Sequence, residues 1–359
     1  MTVAQHTVVN ADRNASTALA AIEDSLVLSS FMQKESIDKF KGGSDAAVNV
    51  RVEGVLPYRE YGWRNDRSNP IQFDQYAERS LTVNFQGDIY SAVQLIDEQA
   101  TMDPIGWDRL SVKQGEAVGR GIERRALNAI TGFEYDVAVS VGSDDMRGAL
   151  LYLRRVANAL KVPGRRVLVV SPDFEMALLS DPDLTIAANV GDARAAAALT
   201  DATLGRLLGF EIVVANELPA NSAYLLIDTP FVVASGAPIS PQSVKHVATK
   251  STPNGFACRW LTDYDANFLT DRSVVNSYVG FRGIKDPVVT TGTVAGLAEQ
   301  AIVSEKEYAI RAFPITLATG TTHAIEIADG ILAAFMGMSS TDGTNDKATD
   351  TTPEPGATV

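Results

Sequence analysis

The sequence predicts an α+β fold with long, reaching segments, and three observations carry that prediction. Two runs of alternating apolar and polar residues flank a long polar stretch. An apolar seam recurs every four residues from Leu110 to Ile130, and beyond it short helical patterns alternate with buried, strand-like runs. Period two signals half-buried strands, and a period near four signals a helix with one buried face.

In chain order, the first element is an amphipathic helix predicted over Thr17 to Met32, with Leu19, Ile22, Leu26 and Phe31 on one face. "KGGSD" (Lys41 to Asp45) breaks that pattern. "AVNVRVEGVLP" then alternates, and "LTVNFQGDIYSAVQLID" (Leu81 to Asp97) alternates again. Together they predict a long antiparallel ribbon whose tip is "REYGWRNDRSNPIQFDQYAERS" (Arg59 to Ser80). Connections of that length inside a compact domain are uncommon unless functional or disordered.

"MDPIGW" reads as a helix start, with Asp103 capping free backbone donors and Pro104 at the first helical position. The seam Leu110, Gln114, Val118, Ile122, Ala126, Ile130 continues to Gly132. A helix of about 27 residues would run ~40 Å. Gly115, Gly119 and Gly121 inside it each cost about 1 kcal/mol relative to Ala, which points to close packing or bending. A dinucleotide-loop reading of Gly119-Arg120-Gly121 fails, because Arg124 stands where the third glycine is needed and no strand precedes it.

"DDMRGALLYLRRVANALKV" predicts a helix, "RRVLVV" a buried strand, and "SPDFEMALLS" a short helix capped by Ser171. "GFEIVVAN", "AYLLID" and "FVVAS" follow as strands. Residues 242–285 read as strand-rich, residues 286–338 as Thr/Val-rich strands, and residues 339–359 as a polar, acidic tail.

Composition excludes several classes. The net charge is −13, and the longest basic clusters are pairs such as Arg124-Arg125 and Arg154-Arg155, so tight nucleic-acid gripping is not expected. No run approaches the ~20 apolar residues of a membrane span. The single Cys258 rules out an internal disulfide framework and fits a reducing compartment. The N-terminal residues lack a signal-peptide pattern, and synthesis in a cytoplasm is the expectation.

Chemistry-bearing motifs are sparse. His6, His246 and His323 lie in unrelated segments, and Cys258 sits in an apolar strand context. "DYDANFLTD" (Asp263, Asp265, Asn267, Asp271) begins like a calcium loop, but Phe268 and Val274 occupy the positions that need Gly and Glu. No phosphate loop, paired CxxC or GxSxG is present, so neither a catalytic residue nor a cofactor is predicted.

The order of parts resembles the major capsid proteins of tailed phages, the Hong Kong ninety-seven fold family. The resemblance rests on "NVRVEGVLPYREYG" with "RSLTVNFQGDIYSAVQLIDEQATMD", "LKVPGRRVLVVSPDFEMALLSDPDL", "TLGRLLGFEIVVANELP", "PFVVASGAPISP" and "WLTDYDANFLTDRSVVNSYVGF", in the family's order over residues 17–285. The subgroup resembled includes coat proteins of short-tailed phages and of phages infecting actinobacteria. The resemblance implies an N-terminal arm (1–47), an extended loop or ribbon (48–97), a peripheral domain with a spine helix (98–143) and an axial domain (144–241). Peripheral return strands (242–285), a β-rich extension (286–338) and a flexible tail (339–359) complete the layout.

The function implied is a self-assembling icosahedral shell of hexamers and pentamers around double-stranded DNA, within a virion. Expected partners are a portal protein, a separate scaffolding protein and, conditionally, a decoration protein. The rivals are an encapsulin-type nanocompartment shell and, in a different class, an α/β ligand-binding protein or enzyme. The expected inter-subunit contacts are Arg59, Glu60, Tyr61, Trp63, Arg64, Asp66, Arg67, Phe73, Asp74, Tyr76, Glu78 and Arg79 on the ribbon. Asp263, Asp265, Asp271 and Arg272 complete the set. Arginine and aromatic side chains carry much interface energy, and charge-assisted pairs add specificity. Some relatives crosslink through a loop lysine. No lysine lies between Lys41 and Lys113, so no such bond is expected here.

Overall fold

The computed structural model describes residues 10–36, 47–52, 56, 58–59, 71, 73, 79–85, 87–96, 107–185, 206–244, 246–292 and 300–327. The N-terminal helix spans Ala11–Ser25 rather than Thr17 to Met32. Asn10 caps it by accepting a hydrogen bond from the Arg13 amide, a signal the apolar spacing alone did not reveal. It stops at Ser25, and Leu28–Phe31 form a separate 3-10 turn. The Glu123 carboxylate holds that turn, accepting from the Leu28 and Ser29 amides at 2.9 and 3.1 Å.

The strands are β1 (Gln33–Ser36), β2 (Ala47–Val52), β3 (Arg79–Asn84), β4 (Asp88–Ile96), β5 (Val137–Gly142), β6 (Arg166–Val170), β7 (Arg206–Leu207), β8 (Phe210–Val214) and β9 (Ser222–Ile227). They continue with β10 (Phe231–Gly236), β11 (His246–Ser251), β12 (Ala257–Asp265), β13 (Thr270–Gly283), β14 (Asp286–Gly292), β15 (Gln300–Tyr308), β16 (Ala312–Ala318) and β17 (Ala324–Ile327). One six-stranded sheet runs β1-β10-β13-β12-β11, with β4 also paired to β13. A seven-stranded sheet runs β17-β5-β16-β9-β6-β8-β7. Two further pairs, β2-β3 and β14-β15, stand as separate ladders.

The long helix covers Trp107–Thr131 and buries Gln114, Val118, Ile122, Ala126 and Ile130, as the four-residue recurrence predicts. Asp103 and Pro104 lie outside the described residues. Gly115 and Gly119 are where the N-terminal helix seats. A Cβ on Gly115 would strike the Ala18 carbonyl, and one on Gly119 the Ser25 hydroxyl, so two backbones touch where any side chain would hold them apart. Gln114 ties the same helix to the sheet, donating to the Ser273 and Ser91 carbonyls at 3.0 and 3.3 Å and accepting from the Ser273 hydroxyl.

Three expectations change. The run Leu81 to Asp97 is two strands, because Gly87 turns the chain at φ +93°. Only β3 pairs with β2 as a ribbon; β4 joins β13 in the six-stranded sheet. Sheet membership also crosses the anticipated boundaries: β10 belongs to the six-stranded sheet, and β5 to the seven-stranded one. Finally, residues 286–338 are not wholly an appendage. β16 sits between β5 and β9 near the middle of the seven-stranded sheet, and β17 is its edge.

The cores follow from this arrangement. "RVLVV" is apolar on both sides because both faces of β6 are covered. Leu168 and Val170 pack with the helices Met146–Ala159 and Pro172–Ser180, while Val167 and Val169 face the core shared by the N-terminal and long helices. Ser171 caps the second of those helices as predicted. The ribbon is anchored by a small third cluster, in which Val48, Val50, Val52 and Val83 pack on Val232, Ala234 and Ile284.

Candidate assembly surface

The expected contact residues divide into four groups. Glu60, Tyr61, Trp63, Arg64, Asp66, Arg67, Asp74, Tyr76 and Glu78 lie outside the described residues. Arg59 and Phe73 are described and exposed, Phe73 at 93%. Leu56, Tyr58 and Ile71, on the same segment, are exposed too. Apolar side chains this open, gathered on one segment, are what a partner surface would cover.

Arg79 is placed differently from the expectation. As the first residue of β3 it points into its own chain, pairing with Asp286 at 2.7 Å and Glu307 at 3.1 Å and donating to the Lys285 carbonyl at 2.6 Å. Its guanidinium pKa is affected most by burial, which lowers it; the bonds to Asp286 and Glu307 outweigh that and leave it raised.

Asp263, Asp265, Asp271 and Arg272 gather at the β12–β13 hairpin end. Arg272 bridges Asp265 at 3.0 Å and Asp263 at 3.5 Å across the strand pair. The turn itself is held by Asp265, which accepts from the Asn267 amide, and Leu269 adopts φ +50° there. Sequence reasoning missed the apolar part of this tip. Tyr264, Phe268 and Leu269 are all exposed, and Ile96 of β4, paired opposite Thr270, extends the patch. These residues stand in "YDANFL", whose Phe-Leu pair falls in a turn rather than a strand.

The residues screened for chemistry have structural surroundings. Cys258 is fully buried beneath the N-terminal helix, its Sγ 3.7 Å from the Ala15 carbonyl, and burial pushes its thiol up to about 12. His323 stacks on Tyr152 and accepts from the Gly142 amide through Nδ1; burial lowers its pKa while Asp145 opposes that. His246 is exposed on β11, and His6 lies outside the described residues. Among the described residues, no cluster of three His, Cys, Asp or Glu side chains is placed to hold a metal ion. No helix among them is long and apolar enough to cross a membrane.

The long helix and the N-terminal helix share one core with the six-stranded sheet and with β6 and β9 of the seven-stranded one, and this mixed arrangement is an α+β fold of the Hong Kong ninety-seven type. The family described as phage capsid protein matches residues 90–281, more than half of the chain, and the chain belongs to that family. Its fold is similar to a structure from Mycobacterium phage Che8, with TM-score 0.53 at 13% identity over 80% of this chain and 90% of that one. The capsid structure of cyanophage P-SCSP1u gives TM-score 0.50 at 11% identity, covering 80% and 86%. The mature capsid of bacteriophage PhiM1 gives 0.50 at 10% identity, covering 81% and 87%. No curated protein matches. The chain is thus a structural shell protein of a phage capsid, associating with copies of itself in a virion.

Proposed function

We propose that this chain forms the icosahedral shell of a tailed phage, as hexamers and pentamers around double-stranded DNA. The six-stranded sheet with the long helix acts as the peripheral domain, and the seven-stranded sheet as the axial domain. The ribbon and the β12–β13 tip are the contact surfaces between copies. The observation that carries this reading is the ribbon: three valines of β2 and one of β3 bury its root on the chain's own sheet, while Phe73 beyond the root stays 93% exposed. An arm anchored at one end and apolar at the other suits a neighbouring subunit.

The net charge of −13 lets packaged DNA be enclosed without a strong grip. A portal protein and a separate scaffolding protein complete the assembly, synthesis takes place in the host cytoplasm, and no covalent ribbon crosslink forms. Negative-stain microscopy tests the reading. The full chain should give icosahedral shells, and a chain lacking Arg59 to Ser80 should be folded but unassembled. Small discrete particles from the full chain, or normal shells from the deletion, would overturn it.

A further inference from the structure

Asp286 is buried, its side chain 6% exposed, and its carboxylate sits where four separate segments meet. Arg79 reaches it from the root of the ribbon at 2.7 Å. Arg311, in the short link from β15 to β16, binds it through both Nε and Nη2, the latter at 3.0 Å. The same Arg311 approaches Asp228, on the link from β9 to β10, at 3.8 Å. Asp286 itself opens β14 immediately after the chain leaves β13. Every one of these links crosses between the six-stranded sheet, the seven-stranded sheet and the β14–β15 pair.

We infer that Asp286 is a positioning residue for assembly: by clasping Arg79 and Arg311 together it fixes the direction in which the ribbon leaves the body. The physical reasons are charge, geometry and space. Two guanidiniums neutralise one buried carboxylate with several directional bonds, which resist rotation in a way that valine packing does not. The ribbon's apolar anchor is small, so an ion cluster at its root has a large share in its orientation. A cavity of about 150 Å³ lies against the same root, lined by Arg79, Leu81, Phe133 and Ile284, so the strands have room to shift once the clasp opens. Outermost in the cluster, half-exposed Glu307 adds a second, weaker hold on Arg79 at 3.1 Å.

The assembly half of this inference rests on the shell-forming reading, whereas the clasp itself is measurable on an isolated subunit. Arg79→Met is the informative variant. It removes the ribbon's share and leaves the Asp286–Arg311 pair intact, so no buried charge is stranded. Hydrogen exchange on the unassembled subunit should show the β2 and β3 amides exchanging at least tenfold faster, with β6 and β9 changed less than twofold. Shells should then form only at a protein concentration about tenfold higher, and Arg79→Lys should recover part of both effects. Asp286→Asn should loosen ribbon and link amides together; where it fails to fold, Arg79→Met alone decides. Unchanged ribbon exchange, or an equal rise in ribbon and body, would overturn the clasp. Faster ribbon exchange with normal assembly would overturn the positioning role. A wild-type chain that builds no shells would instead defeat the functional reading and leave the exchange result standing.

Discussion

The body and the ribbon of this chain are built on opposite principles. The body buries both faces of its central strands β6, β9 and β10. Trp260, Phe174, Phe210, Phe231 and Phe313 are all fully enclosed, and the N-terminal helix is pressed against the long helix through glycines. The ribbon has one covered face, a handful of valines and one ion cluster. A domain that must fold alone needs the first kind of packing. On the assembly reading proposed above, a segment that completes its contacts on another copy needs only enough of it to be presented, and over-anchoring would leave little apolar surface to share.

The sharpest way to test that contrast is to damage the body. Trp260 is fully buried and meets Trp107 edge to face, with ring centroids 6.4 Å apart. Trp260→Ala should cost about 3–5 kcal/mol of subunit stability, the range for removing a large aromatic from a core. Urea denaturation of the unassembled subunit measures it. A loss below about 1 kcal/mol would mean that the six-stranded sheet is not the packed body described above.

The ribbon should answer differently. Val50 packs on Val232, Ala234 and Ile284, and Val50→Ala removes methyl groups worth about 0.8 kcal/mol each. Because the ribbon can open without the body, that loss should appear as about tenfold faster exchange of the β2 and β3 amides, while the urea midpoint of the body barely moves. A fall in the midpoint matching that of a core substitution would show ribbon and body to be one cooperative unit, and the contrast would fail.

The sequence carried one side of this contrast better than the other. The long helix was legible because its seam repeats every four residues and its three glycines announced close contact before any partner was visible. The short helix at Ser171 was legible from its cap and proline. By contrast, nothing local distinguishes β3 from β4. Both alternate, and only Gly87 marks the place where one leaves for the ribbon and the other for the sheet. Nor does the local pattern of β16 say that it lies between β5 and β9, since strand order is decided by pairings between residues far apart in sequence. The candidate contact surface shows the same limit. The acidic residues and Arg272 of the β12–β13 tip drew notice as charges, but the neighbouring Phe268 and Leu269 look like ordinary core residues until the turn exposes them. Arg79 looked like one more ribbon charge, and its partner Asp286 lies 207 residues away.

The smallest effect belongs to the charges on the surface of the body. Arg124 of the long helix meets Glu217, in the connection after β8, at 3.0 Å, and both side chains are more than half exposed. Such pairs gain little, because water screens the attraction and two long side chains must be held still. Glu217→Gln should therefore change urea stability by under about 1 kcal/mol and should leave ribbon exchange untouched. This pair is the counterpart of the cluster at Asp286, where similar groups are buried and bridge separate segments. A large loss from Glu217→Gln would mean that ion pairs count everywhere in this molecule, and the special weight given to the one at the ribbon's root would lose its basis.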